Sequence, residues 1–131
     1  MEKIEGINSR EMGCFIESYV LNEEIMSSNI VDYVESLKKC NLKLFNFRLS
    51  NSERDNEYFY KTFLSLREFE NYTWNDDYFI DDFGVSCLYN NVVFHLTFNF
   101  DNGRITVFHR NNIDFKPFLL AIEADMKKKI R

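Results

Sequence analysis

The sequence predicts an α+β fold: a single domain over residues 1–131, with an antiparallel sheet that ends in a three-stranded meander and packs against about three helices. Three observations predict it. Two turn signals, Asn90-Asn91 and Asn102-Gly103, divide the C-terminal third into runs whose apolar residues alternate. Alternation on both sides of such dipeptides marks β-hairpins. Three other stretches carry apolar residues at helical spacing. The composition, 45% hydrophobic and 17% aromatic with 14 Phe and 7 Tyr, supplies large flat side chains to fill a core between two layers.

Each element follows in order. Residues 12–21 read as a strand. Ser28 is placed to cap a helix over about 28–40, with Ile30, Val31, Val34 and Leu37 at helical spacing and Lys38-Lys39 at its negative end. Residues 42–49 suit a second strand. Ser52-Glu-Arg-Asp55 resembles a capping box with Asp in place of Glu. Phe59, Phe63, Leu66 and Phe69 then make a stripe that predicts a helix over about 54–70. Residues 71–82 break the periodicity and read as a long Asn- and Asp-rich loop.

Three strands follow, about 83–89, 92–100 and 104–110. A two-residue turn at Asn90-Asn91 sets Cys87 against Phe94, Val85 against Leu96 and Phe83 against Phe98. A two-residue turn at Asn102-Gly103 sets Asp101 against Arg104, Phe100 against Ile105, Phe98 against Val107 and Leu96 against His109. Both registers close the apolar face on itself. Asp114 caps a final helix with Pro117 in its first turn, where a missing N–H costs nothing. Phe115, Leu119, Ile122, Met126 and Ile130 form its buried stripe.

The net charge is −5 and it is uneven. Residues 53–82 hold nine acids against three bases, and residues 104–131 hold seven bases against three acids. An acidic chain repels phosphates, so direct nucleic-acid binding is not expected. The first ten residues contain no apolar signal core, and no run approaches the ~20 apolar residues of a membrane span. No membrane association is therefore expected. Cys14, Cys40 and Cys87 are odd in number and form no C-x-x-C pair, which argues against disulfides or a zinc site. The expected compartment is the reducing cytoplasm.

Few motifs survive inspection. Asp82-Phe83-Gly84 matches the metal-binding triplet of protein kinases, but no Gly-rich phosphate loop accompanies it. Asp76, Asp77, Asp81 and Asp82 lack the alternate spacing, central Gly and terminal Glu of a calcium loop. The Asn71-Tyr72-Thr73 sequon has no meaning in a cytoplasmic chain. Lys127 to Arg131 compensates a helix end. His109 falls at the end of the core face, as a hydrogen-bonded edge residue. His95 falls on the outer face between Ser86 and Arg110, with no carboxylate placed to orient its ring. No catalytic residue, metal or cofactor is therefore expected, and the chain reads as a non-enzyme.

The strongest candidate site is the segment Glu68, Glu70, Tyr72, Trp74, Asp76, Asp77, Tyr78, Asp81 and Asp82. It combines acids with aromatic rings that lie outside any regular stripe. Interfaces draw their anchors from Trp and Tyr, and surrounding charge steers the partner. A small, acidic, Phe- and Asn-rich α+β chain of this kind resembles the bacterial immunity proteins of contact-dependent inhibition and related polymorphic toxin systems. The likeness is one of overall character across the chain and carries over no individual residue. It implies an immunity protein that neutralises a toxin domain with a basic surface, a nuclease being the expected kind. The rival reading is a small ligand-binding or enzymatic domain on the open sheet face around Ser86, His95 and Arg110. A third reading is an adaptor with no toxin: the outer-face pairs Leu88–Val93 and Thr97–Phe108 suit a homodimer or a face beneath another helix, so both monomer and homodimer stay open.

Overall fold

A computed structural model of the protein describes residues 1–9, 13–51, 60–72, 80–110 and 113–129. The strands are β1 (Glu2–Ser9), β2 (Cys14–Val20), β3 (Lys43–Ser50), β4 (Tyr60–Ser65), β5 (Asp82–Tyr89), β6 (Val92–Asn99) and β7 (Arg104–His109). The helices are α1 (Ile30–Lys38), α2 (Leu66–Glu70) and α3 (Lys116–Lys129). All seven strands form one antiparallel sheet in the order β1-β2-β7-β6-β5-β3-β4. The fold is α+β, with the C-terminal meander at its centre.

Alternation divides the sheet into two faces. Phe83, Val85, Cys87, Phe94, Leu96, Phe98, Ile105 and Val107 point one way and are fully buried. The helices cover that face. Tyr33 of α1 stacks on Phe98 at 5.1 Å, Phe69 of α2 on Phe47 at 4.7 Å, and Phe118 of α3 on Phe94 at 5.5 Å. Phe83 joins these rings, 5.7 Å from Phe69 and 5.5 Å from Phe98. Each buried ring contributes roughly 1.5–3 kcal/mol through removal from water, which is why a Phe-rich chain can hold so thin a structure.

The two hairpins behaved differently. Asn90 and Asn91 both have positive φ, 48° and 63°, as a type I′ turn requires. The resulting pairs are those the turn predicts: Cys87 with Phe94, Val85 with Leu96, Phe83 with Phe98. At the second hairpin the pairing starts at Asn99 with Arg104, so the loop has four residues rather than two. Only Gly103 has positive φ there, at 70°. The side chain of Asn99 accepts from the Asn102 amide at 3.2 Å, and that of Asn102 from the Arg104 amide at 3.1 Å, which holds the wider loop. The register moves by two: Phe98 meets Ile105, Leu96 meets Val107, Phe94 meets His109 and Thr97 meets Thr106. An even shift leaves every side chain on its own face, so the core is unaffected.

The helix expected over 54–70 is not what forms over its described part. Residues 60–65 are strand β4, and α2 spans only Leu66–Glu70. Phe63 and Phe69 still meet, edge to face at 5.6 Å, because the chain turns from strand to helix between them. The helix starts at Ser65, whose Oγ accepts from the Glu68 amide at 3.2 Å, while Glu68 Oε2 accepts from the Leu64 amide at 3.1 Å. Ser65-Leu-Arg-Glu68 is thus a variant of the capping box, in which Glu68 reaches back to the Leu64 amide instead of that of Ser65. Ser52 to Asp55 lie outside the described residues. Strand β1 was not expected, since an edge strand needs little apolar alternation. Ser28 lies within a short 3₁₀ turn, Ser27–Asn29, and does not cap α1. Ile130 lies outside the described residues. No helix among the described residues is long and apolar enough to cross a membrane.

Candidate functional site

Four of the residues singled out from the sequence, Trp74, Asp76, Asp77 and Tyr78, lie outside the described residues. The other five do not form one patch. Glu68 is occupied at the head of α2, as above. Glu70 forms an ion pair with Lys38 at 3.3 Å, and Lys38 also meets Glu35 at 3.4 Å. The hydrogen bond to Glu70, together with Glu35, holds the Lys38 ammonium above its usual range despite some desolvation. Tyr72 is half-buried and edge-on to Phe63 at 5.0 Å, so it closes the rim of the core.

Asp81 and Asp82 sit elsewhere, at the end of the sheet where β3 stops and β5 starts. The Asp81 amide donates to the Ser50 carbonyl at 2.9 Å, and the Asp81 carbonyl accepts from the Phe100 amide at 2.8 Å. Asp82 pairs in register with Ser50 on one side and Asn99 on the other. Ser65, at the head of α2, pairs with Phe45, five residues back along β3. That separates the two acid groups by roughly 17 Å of strand. The sequence reading missed Asp101, on the β6–β7 loop, which belongs with Asp81 and Asp82. Burial, then the charge of Asp81, raise the Asp82 carboxyl; the Ser50 hydrogen bond pulls the other way, and the charge of Asp101 adds a smaller rise. Asp101 was visible in the sequence, but only as part of a turn.

The face of the sheet away from the helices carries a second group. Ser86 Oγ and His95 Nδ1 are 2.7 Å apart, and Ser86 is fully buried. His95 lies beside a concavity of about 520 Å³ whose walls include Arg48, Val93, Thr97, Phe108 and Arg110. Phe108, not Arg110, is the direct neighbour of His95, and Arg110 follows two residues on. Arg48 was not foreseen. It reaches this face because β3 carries a bulge at Asn46, where φ is 50°, and because β3 lies beside β5. Its guanidinium lies over Gly84: a Cβ there would come within 2.9 Å of Arg48 Nε. Burial, then the charges of Arg48 and Arg110, lower the His95 imidazole below its usual range, so the ring is neutral at pH 7. Ser86 is too deeply buried to attack a substrate. Its bond orients the ring.

His109 lies on the covered face, buried, with Nε2 at 2.8 Å from Glu17. Glu17 also takes Lys3 at 2.9 Å. Burial pushes the Glu17 carboxyl up, but the hydrogen bonds and charges of Lys3 and His109 outweigh it and hold the group below its usual range. All three cysteines are free, and burial pushes the Cys87 thiol far up. Among the described residues no group of three or more His, Cys, Asp or Glu is placed to hold a metal ion.

Comparison with known protein families, curated proteins and solved structures found no match to this chain.

Proposed function

We propose that the chain is an immunity protein, a non-enzymatic binding domain that neutralises a nuclease-type toxin by presenting an acidic surface to its basic cleft. The observation that carries this reading is the charge conflict at the sheet end. Burial raises the Asp82 carboxyl, and the neighbouring charges of Asp81 and, more weakly, Asp101 raise it further. Like charges gathered in this way destabilise a fold, and a cationic partner relieves them. The docking surface therefore centres on Asp81, Asp82 and Asp101 and leaves out Glu68 and Glu70, which are engaged at α2.

The test uses the product of the adjacent reading frame as the toxin. The triple variant Asp81→Asn, Asp82→Asn, Asp101→Asn is compared with the unaltered chain for association rate at low and high salt. The expected result is slower association, a flatter salt dependence and weaker protection of toxin-expressing cells. Asp82→Asn alone also raises the melting temperature at pH 7. A carboxyl raised by folding opposes stability once it ionises, and the native chain sheds that penalty only as pH falls. Unchanged association and unchanged protection would overturn the proposal.

A further inference from the structure

We infer that the open sheet face binds a small organic oxyanion, a carboxylate or phosphate head on an apolar body. The site begins one same-face cross-strand row from Asp82, at Arg48 and Gly84, and does not depend on the immunity reading.

Ser86 fixes the tautomer of His95. The buried Ser86 hydroxyl has His95 Nδ1 as its only hydrogen-bond partner among the described residues. A buried hydroxyl must place its proton, so Ser86 donates and Nδ1 accepts. The ring proton then sits on Nε2, which has no protein partner among the described residues. A neutral imidazole therefore offers one N–H donor to this face.

Two guanidinium groups flank that donor. Arg48 shares a cross-strand row with Gly84 and Thr97, one step along β6 from His95. Arg110 lies one step the other way, two residues beyond Phe108. Both charges act on the His95 ring. Neither is paired with a carboxylate among the described residues, although the chain is acidic overall. Guanidinium forks match carboxylate and phosphate oxygens and are weakly hydrated, so two of them around one neutral donor form an oxyanion cradle. Phe108 and Val93 supply an apolar wall, and the concavity of about 520 Å³ has the size of a metabolite site. Gly84 completes the design. It leaves the gap that lets Arg48 lie flat on the sheet.

The full chain is titrated with phenyl phosphate, with benzoate and with neutral benzyl alcohol, while the His95 ring nitrogens are followed by NMR. Saturable shifts with one or both anions, and none with benzyl alcohol, are expected. The tighter of the two identifies the head group. Bound anion raises the His95 titration midpoint, and affinity rises as pH falls through it, as linkage requires. Arg48→Gln and Arg110→Gln each weaken binding by roughly tenfold or more. Gly84→Ala retains both charges, displaces Arg48 and weakens binding by less. Three results would overturn the inference: no saturable shift, equal shifts with benzyl alcohol, or affinity unchanged in both arginine variants.

Discussion

The two faces of the sheet use similar strands for opposite ends. The covered face spends its residues on rings, with Phe47, Phe83, Phe94 and Phe98 fully buried under three helices. The open face carries Arg48, His95, Thr97 and Arg110, which line a concavity among the described residues. One face holds the molecule together, and the other is free to specialise. Stability should therefore be far more sensitive to change on the first than on the second.

Phe98→Ala is the sharpest way to break that contrast. Phe98 touches both Tyr33 and Phe83, so its loss opens a cavity at the centre of the core. A cost of about 3–5 kcal/mol is expected, read by urea denaturation, which is a large share of a small domain's stability. A cost below about 1 kcal/mol would mean that the rings repack freely.

Glu17→Gln has the next largest effect. It removes an acceptor from Lys3 and His109 at the rim of the covered face. A loss of about 1–3 kcal/mol at pH 7 is expected. The Glu17 carboxyl is held below its usual 4.5, so its contribution is present above that value and fades as pH falls through the depressed one. The difference between variant and native chain therefore shrinks in acid. A gap that is constant with pH would show that packing, not charge, is responsible.

Arg110→Gln should be smallest. Arg110 is exposed, with no ion-pair partner among the described residues. Its effect on stability is expected within about 0.5 kcal/mol. A larger loss would mean that the open face also serves the fold.

How much of this was legible in the sequence depends on where each signal resides. The Asn90-Asn91 register was readable because both residues accept positive φ and the turn is closed locally. The Asn102-Gly103 register was not, because the side chains of Asn99 and Asn102 offer the backbone a wider loop. The stripe Phe63, Leu66, Phe69 suited a helix, and no local rule shows that the chain changes from strand to helix at Ser65. The capping box Ser65-Leu-Arg-Glu68 was the available correction. Ser86 and His95 could be paired from a hairpin, whereas Arg48 depends on β3 lying beside β5, which is a matter of long-range strand order. The bulge that turns Arg48 outward did leave a trace. Apolar residues fall on even numbers at Leu42 and Leu44 and on odd numbers at Phe47 and Leu49, with Asn46 between.

The bond from the Leu64 amide to Glu68 reaches beyond its own helix. Strand β4 is an outer edge of the sheet, and Tyr60 and Leu64 leave it 54% and 69% exposed. Such a margin invites a second molecule to add a strand and begin a polymer. The Glu68 carboxylate occupies an outward amide that an incoming strand would need, and it sets a negative charge in that strand's path. One side chain thus both closes the start of a short helix and takes up a backbone donor of the sheet's edge strand.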